Sequence, residues 1–196
     1  VNDNPRRSSG NNLPRRTSVE DAIRDQLDTA IKLWFEEGPI TPIEALTYNA
    51  LRRLHDLANV TKRGRPSAMI SHILKLPKER REMVMLPFDF AKHGDRRMKD
   101  IEAVDSRPDL IEHFTYEAVT LYAGAFHDLT LLMRLFAARY ALDNAVLFRE
   151  LGMPQFEKLI MREYDFAGLT RGEFLKKFHP VLTDLWIKDG WSPPPP

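Results

Sequence analysis

The chain has 196 residues, 43% hydrophobic and 29% charged, a globular composition with enough apolar material for one core. It contains no cysteine, which excludes disulfides, thiolate zinc sites, iron–sulfur clusters and a cysteine nucleophile, and which fits a reducing, cytoplasmic setting. A net charge of +1 does not by itself direct the chain to nucleic acid.

Residues 1–17 read as a disordered basic tail. Arg6, Arg7, Arg15 and Arg16 outweigh Asp3, and no apolar run follows to make a signal peptide. Ser18 and Asp21 then open a helix whose apolar set is Ala22, Ile23, Leu27, Ala30, Ile31, Trp34 and Phe35. Gly38 and Pro39 stop it. Thr41-Pro42-Ile43-Glu44 reads as a capping box with Pro in the first turn, starting a helix that buries Ile43, Leu46, Ala50, Leu54, Leu57 and Ala58. These two segments form a helical hairpin. Pro66 starts a short helix to Leu74, and Pro77 starts another to about Leu86, where Pro87 is expected to break the chain. Asp89 to Arg107 is charged and reads as short turns and loop.

After Pro108 comes the most apolar stretch, Thr115 to Leu142, interrupted by His127, Asp128, Arg134 and Arg139. Such groups argue against a membrane span and for buried helix, which Gly124 and Asp128 divide in two. A strand over Leu110 to Phe114 is the one departure from helix that this region admits. Asp143 caps a short helix that stops at Gly152, Pro154 begins another, and Thr170 with Glu173 forms a second capping box before a last helix through Phe174, Phe178, Leu182, Leu185 and Trp186, kinked at Pro180. Ser192 to Pro196 is a loose proline-rich end. The reading is an all-α bundle of about seven or eight helices, with a tail at 1–17, one helical domain at 18–190 and a loose end at 191–196. The aromatic stripes of Trp34, Phe35, Phe126, Phe136 and Tyr140 are read as core.

Two stretches carry a resemblance. Leu27-Asp28-Thr29-Ala30-Ile31-Lys32-Leu33-Trp34-Phe35, with the hairpin that follows to Leu57, resembles the opening of a family of uncharacterised bacterial all-helical proteins. Phe90-Ala91-Lys92-His93-Gly94-Asp95 is similar to a Phe-x-Lys-His-Ala/Gly-Asp string in the same proteins. The resemblance covers roughly half of the chain and implies no activity. It directs attention to Lys92, His93 and Asp95.

Three constellations carry chemistry. Around His93, which titrates near neutrality, stand Lys92, Asp95, Arg96 and Arg97, so His93 is the candidate acid–base group with Lys92 and Asp95 to tune it and Arg96 to grip an anion. The plainer reading is a helix ending, with Lys92 and His93 satisfying the last carbonyls and Gly94 after them.

An Arg and a His separated by a helical turn or two mark the HEPN class of helical nucleases, in which Arg holds phosphate and His cleaves RNA. Arg107 with His113 and Arg65 with His72 have that spacing, but about two such pairs are expected by chance. Pro108 and Pro66 also stand where a polar residue usually follows the Arg. Metal phosphohydrolases of the HD class use a His, a His-Asp pair and a distant Asp, for which His93, His127, Asp128 and Asp184 have tolerable spacing. The plainer reading makes His127-Asp128 a polar helix junction with Asp128 capping the next helix. A second His-Asp pair, His55-Asp56, reads as a helix surface beside Arg52.

Lys78 to Glu82 reads as a solvated face, and Thr61-Lys62-Arg63-Gly64-Arg65-Pro66 as an exposed basic turn with some capacity for phosphate. No phosphate-binding glycine loop, Gly-x-Ser-x-Gly elbow or His-Glu-x-x-His helix occurs, and no cofactor is implied. The expectation is a helical domain that binds a protein or small ligand, with RNA contact through the tail and basic loops, metal-independent RNA cleavage and metal hydrolysis as alternatives. A homodimer suits the first two.

Overall fold

Helix-start signals account for much of where the chain folds locally. The computed structural model describes residues 17–93, 106–146 and 168–188. Among these it contains seven helices and no strand: α1 Val19–Phe35, α2 Ile40–Thr61, α3 Ala68–Lys75, α4 Lys78–His93, α5 Pro108–Phe126, α6 Leu131–Asp143 and α7 Arg171–Lys188. Leu110 to Phe114, the one segment the sequence allows as strand, is helical and lies within the first half of α5. The expected basic tail up to Arg16, the chain after Val146 where the helices following Asp143 and Pro154 are expected, and the proline-rich end lie outside the described residues, while Asp143 is the last residue of α6 and pairs with Arg139 at 2.8 Å.

Ser18 caps α1 by accepting the Asp21 N–H at 3.0 Å. Thr170 and Glu173 close a reciprocal box at α7, the Thr170 N–H donating to Glu173 at 2.8 Å and the Glu173 N–H to the Thr170 hydroxyl at 3.2 Å. The expected box at Thr41 does not form. The helix begins at Ile40, with Pro39 as its cap and no side-chain hydrogen bond, because either proline suits a helix start. Glu44, freed from capping, is instead buried at 2% exposure, where the Ser106 hydroxyl donates to it and burial raises its carboxyl above the usual range. At the end of α1 the left-handed residue is Glu37 rather than Gly38, and the Gly38 N–H donates to the Leu33 carbonyl at 2.8 Å.

Two prolines stand inside helices. Pro87 does not break the chain, and α4 continues to His93. The next residue, Phe88, is 3% exposed and stacks against Tyr48 of α2 at 4.7 Å and Phe114 of α5 at 5.2 Å. That burial and ring contact offset the one backbone hydrogen bond a proline removes. Pro180 likewise lies within α7.

The α1–α2 hairpin is the centre of the packing. α5 and α4 lie against α2, and α6 and α7 lie against α1. Its core is the apolar face of α1 (Ile23, Leu27, Ile31, Trp34, Phe35) meeting Leu51 and Leu54 of α2, Phe114 and Tyr122 of α5, Phe136 of α6 and Phe174 of α7. The aromatic stripe is core as read, except that Phe126 is half-buried. His55 overturns its reading as a surface residue: it is 6% exposed, and its Nδ1 has no hydrogen-bond partner among the described residues. The neighbouring Arg52 and Asp56 do pair, at 3.3 Å.

α3 has eight residues, too few to persist on propensity alone. Ser67 caps it, and Glu117 of α5 accepts from the Ser67 hydroxyl at 2.8 Å, the Ala68 N–H at 2.7 Å and the Met69 N–H at 3.3 Å. A carboxylate thus sits on the positive end of α3 from fifty residues away in sequence. Glu117→Ala is expected to cost about 1–2 kcal/mol by orphaning those donors. It should also speed amide exchange in the first turn of α3 while leaving α1 unchanged, which hydrogen-exchange NMR reads directly. Unchanged exchange at Ala68 and Met69 contradicts the assignment.

Candidate functional site

The structure brings few of the sequence candidates together. α4 ends at His93, but the side chains of Lys92 and His93, and all of Asp95, Arg96 and Arg97, lie outside the described residues. Arg107 precedes the first turn of α5. Its exposed guanidinium grips Asp109 through bonds of 2.8 and 3.1 Å, which holds the Asp109 carboxyl below its usual range. His113 is engaged elsewhere, its Nδ1 in a short hydrogen bond with the Tyr140 hydroxyl and its ring edge-on to Tyr140 at 5.6 Å. Tyr140 is 3% exposed and stacks on Tyr116 at 4.4 Å, and burial pushes its hydroxyl up to about 12. The second Arg–His pair is exposed at both ends, with Arg65 in the turn before α3 and His72 on α3.

His127 ends α5 in the left-handed conformation, and Asp128 accepts the Leu129 N–H at 2.8 Å. The helix junction is as read, but the cap of α6 is Thr130, whose hydroxyl accepts the Met133 N–H at 3.2 Å. A hydroxyl one residue from the helix start reaches that amide, and Asp128 is too far back. Asp184 is exposed on α7. Among the described residues no three His, Asp or Glu side chains gather as a metal site.

One polar cluster went unread in the sequence. Glu112 of α5 accepts from Trp34 Nε1 at 3.1 Å and, in a short contact, from Arg171 of α7. The Arg171 guanidinium lies 4.3 Å over the Trp34 ring. Charge, indole and carboxylate satisfy one another, and the arrangement joins α1, α5 and α7. A network of this kind holds helices in register.

A different arrangement appears where α2, α3 and α4 meet. A cleft of about 210 Å³ opens there, with Ile70, Ile73 and Met85 along its apolar floor and Leu74, 44% exposed, at its lip. Tyr48 and Arg52 stand on the α2 side, and Arg81, Glu82 and Asp89 on the α4 side. Arg52 is committed to Asp56 and to the Tyr48 hydroxyl, and Glu82 reaches Lys78 at 3.9 Å. Arg81 and Asp89 have no ion-pair partner among the described residues. Burial raises the Tyr48 hydroxyl above its ordinary range, with Arg52 opposing it. The helical period places Arg81, Met85 and Asp89 on one face of α4, so the charges and the apolar floor look into the same space. No motif could have revealed this site, because its residues are spread over three helices and converge only on folding.

No protein-family model, curated protein or solved structure matches the chain. No helix among the described residues is long and apolar enough to cross a membrane.

Proposed function

We propose that the protein is a helical binding domain whose α2–α3–α4 cleft receives a bulky apolar group flanked by charge, presented by a partner protein or a small amphipathic ligand. The observation that carries this reading is the cleft itself. It combines an apolar floor of Ile70, Ile73 and Met85 with two charges, Arg81 and Asp89, that no described neighbour neutralises. Binding sites are concave and mostly apolar, with a few polar groups that fix orientation. Its volume of about 210 Å³ suits one large side chain or a fragment of that size.

A ribonuclease of the HEPN kind would use His113 or His93 with Arg96, Arg97 or Arg107. Arg107 and His113 are occupied by Asp109 and Tyr140, which favours the binding reading for that pair. A metal hydrolase on His93, His127, Asp128 and Asp184 gains no support from the positions of His127 and Asp128.

The test is a methyl-labelled NMR titration with small aromatic and aliphatic fragments. Shifts concentrated on the Ile70, Ile73, Leu74 and Met85 methyls are expected, and Ile73→Trp should fill the cleft and weaken binding at least tenfold. Shifts scattered over the surface, or binding indifferent to Ile73→Trp in a folded variant, would sink the proposal.

A further inference from the structure

The turn between α2 and α3 has a property that the cleft does not explain. From Asn59 to Pro66 every residue is exposed, and Lys62, Arg63 and Arg65 stand there with no acidic residue among them and no ion pair among the described residues. Several arginines elsewhere are paired with carboxylates: Arg24 with Glu20 and Asp21, Arg52 with Asp56, Arg107 with Asp109, Arg139 with Asp143 and Arg171 with Glu112. Of the acids on the flanking helices, Asp56 is held by Arg52 and Glu117 by the start of α3.

Helix energetics account for part of this charge and not all of it. Lys62 and Arg63 follow the C-terminus of α2, where cations complement the helix dipole. Arg65 precedes the N-terminus of α3, where a cation opposes the dipole, so helix stability does not explain its place.

The backbone that carries these side chains is held in one shape. Lys62 takes the left-handed conformation (φ 62°) and its N–H donates to the Ala58 carbonyl at 3.1 Å. The Thr61 hydroxyl donates to the Leu57 carbonyl at 2.8 Å and accepts the Arg63 N–H at 3.3 Å. Gly64, at φ +69°, lies against Ala125 of α5, where an added Cβ would meet the Ala125 Cβ and N at 3.4 Å. Ser67, fully buried, locks the exit into α3. The charged side chains project from a turn whose main chain is already ordered, which lowers the entropic cost of binding.

We propose that this turn is a contact for the phosphodiester backbone of a polynucleotide, with Lys62, Arg63 and Arg65 each meeting a phosphate. Three cations along four residues match a run of phosphates better than one phosphate group, and the Arg forks bind phosphate oxygens in pairs. A lipid surface fits less well, because an interfacial site needs an apolar face to bury and the turn offers only Val60 beside polar residues. The proposal is independent of the cleft and survives its failure.

Fluorescence anisotropy on the full chain tests it, using labelled single-stranded RNA and DNA of one mixed sequence over a range of salt. Three phosphate contacts contribute about −2 to the slope of log K against log salt for a single strand. Replacing Lys62, Arg63 and Arg65 together by Gln should flatten the slope by about 2 and weaken binding roughly a hundredfold at 0.1 M salt, in a variant whose circular dichroism shows the helical fold retained. Arg63→Lys with Arg65→Lys should keep most of the slope, since charge is retained. Equal binding of RNA and DNA assigns affinity to the phosphates alone, and tighter RNA binding adds a contact to the 2′-hydroxyl; both support the site. No binding at low salt, binding that survives the triple Gln variant, or binding to anionic phospholipid vesicles in place of polynucleotide overturns it.

Discussion

Asp28→Asn is expected to make the protein more stable at pH 7 by about 2 kcal/mol, and to make no difference below about pH 4. Asp28 lies on α1 facing the start of α6, where its carboxylate accepts a short hydrogen bond from the Thr130 hydroxyl. Burial raises its pKa from 3.8 to about 6, against the opposing effects of the Thr130 bond and of Arg24 nearby. The sign follows from proton counting. Between pH 3.8 and 6 the folded chain holds this proton and the unfolded chain has lost it, so stability falls as pH rises through that window. At neutral pH the ionised carboxylate therefore sits in a place that costs it solvation.

The full shift is worth about 3 kcal/mol at 1.36 kcal/mol per unit, and the remaining solvent contact and the lost attraction to Arg24 reduce that to about 2. Asn keeps an oxygen for Thr130 to donate to, so the cap of α6 survives. Urea unfolding from pH 4 to 8 is the measurement. The wild-type and variant curves should meet near pH 4, diverge between pH 4 and 6, and run parallel above about pH 6. A parallel offset at every pH would locate the effect in packing, and a less stable variant at pH 7 would mean that the carboxylate is net favourable.

What the residue string announces and what it conceals divides along physical lines. Ser18 and the pair Thr170 with Glu173 were legible because capping is decided within four residues. The apolar face of α1 was legible because a 3.6-residue period marks one side of a helix whatever packs against it. Pro87 and His55 were not. Whether a helix continues past a proline depends on what its next residue gains, and Phe88 gains Tyr48 and Phe114, which are 40 and 26 positions away along the chain. His55 lies with Glu44 and Leu51 at one edge of a single broad buried face of α2, and a stripe drawn through Leu46 and Leu57 on the other edge assigns it to solvent. The cleft is harder still, since Tyr48, Ile73 and Arg81 become neighbours only after three helices have packed. The basic turn was visible as composition, but its fixed backbone and unpaired charges are properties of the folded chain. The His93 segment, the strongest candidate by residue type, falls where the described side chains stop.

Trp34→Ala should be the most damaging single truncation among the residues discussed, at about 4 kcal/mol. Trp34 is 3% exposed and makes edge contacts at 4.9 Å with both Phe35 and Phe136. Loss of the indole opens a cavity between α1 and α6, and it also removes the ring beneath Arg171 and the N–H that Glu112 accepts. Glu112 and Arg171 would still hold each other, but no longer against α1. A domain of this size is stable by about 5–15 kcal/mol, so the loss is a large share of the total.

Trp34→Phe separates the two contributions. The phenyl ring keeps most of the packing and offers Arg171 a face, while the Glu112 bond disappears, so a cost of about 1–2 kcal/mol is expected. Urea midpoints for the wild type, Trp34→Phe, Trp34→Ala and Glu112→Gln settle the matter. If Phe costs as much as Ala, the indole N–H and its link to Glu112 hold the three helices together. If Ala costs under about 1 kcal/mol, the α1–α5–α7 junction is not the organising contact that its geometry indicates. The expected order, with Phe in between and Glu112→Gln close to it, makes Trp34 the point where hydrophobic burial and the polar network act on the same side chain.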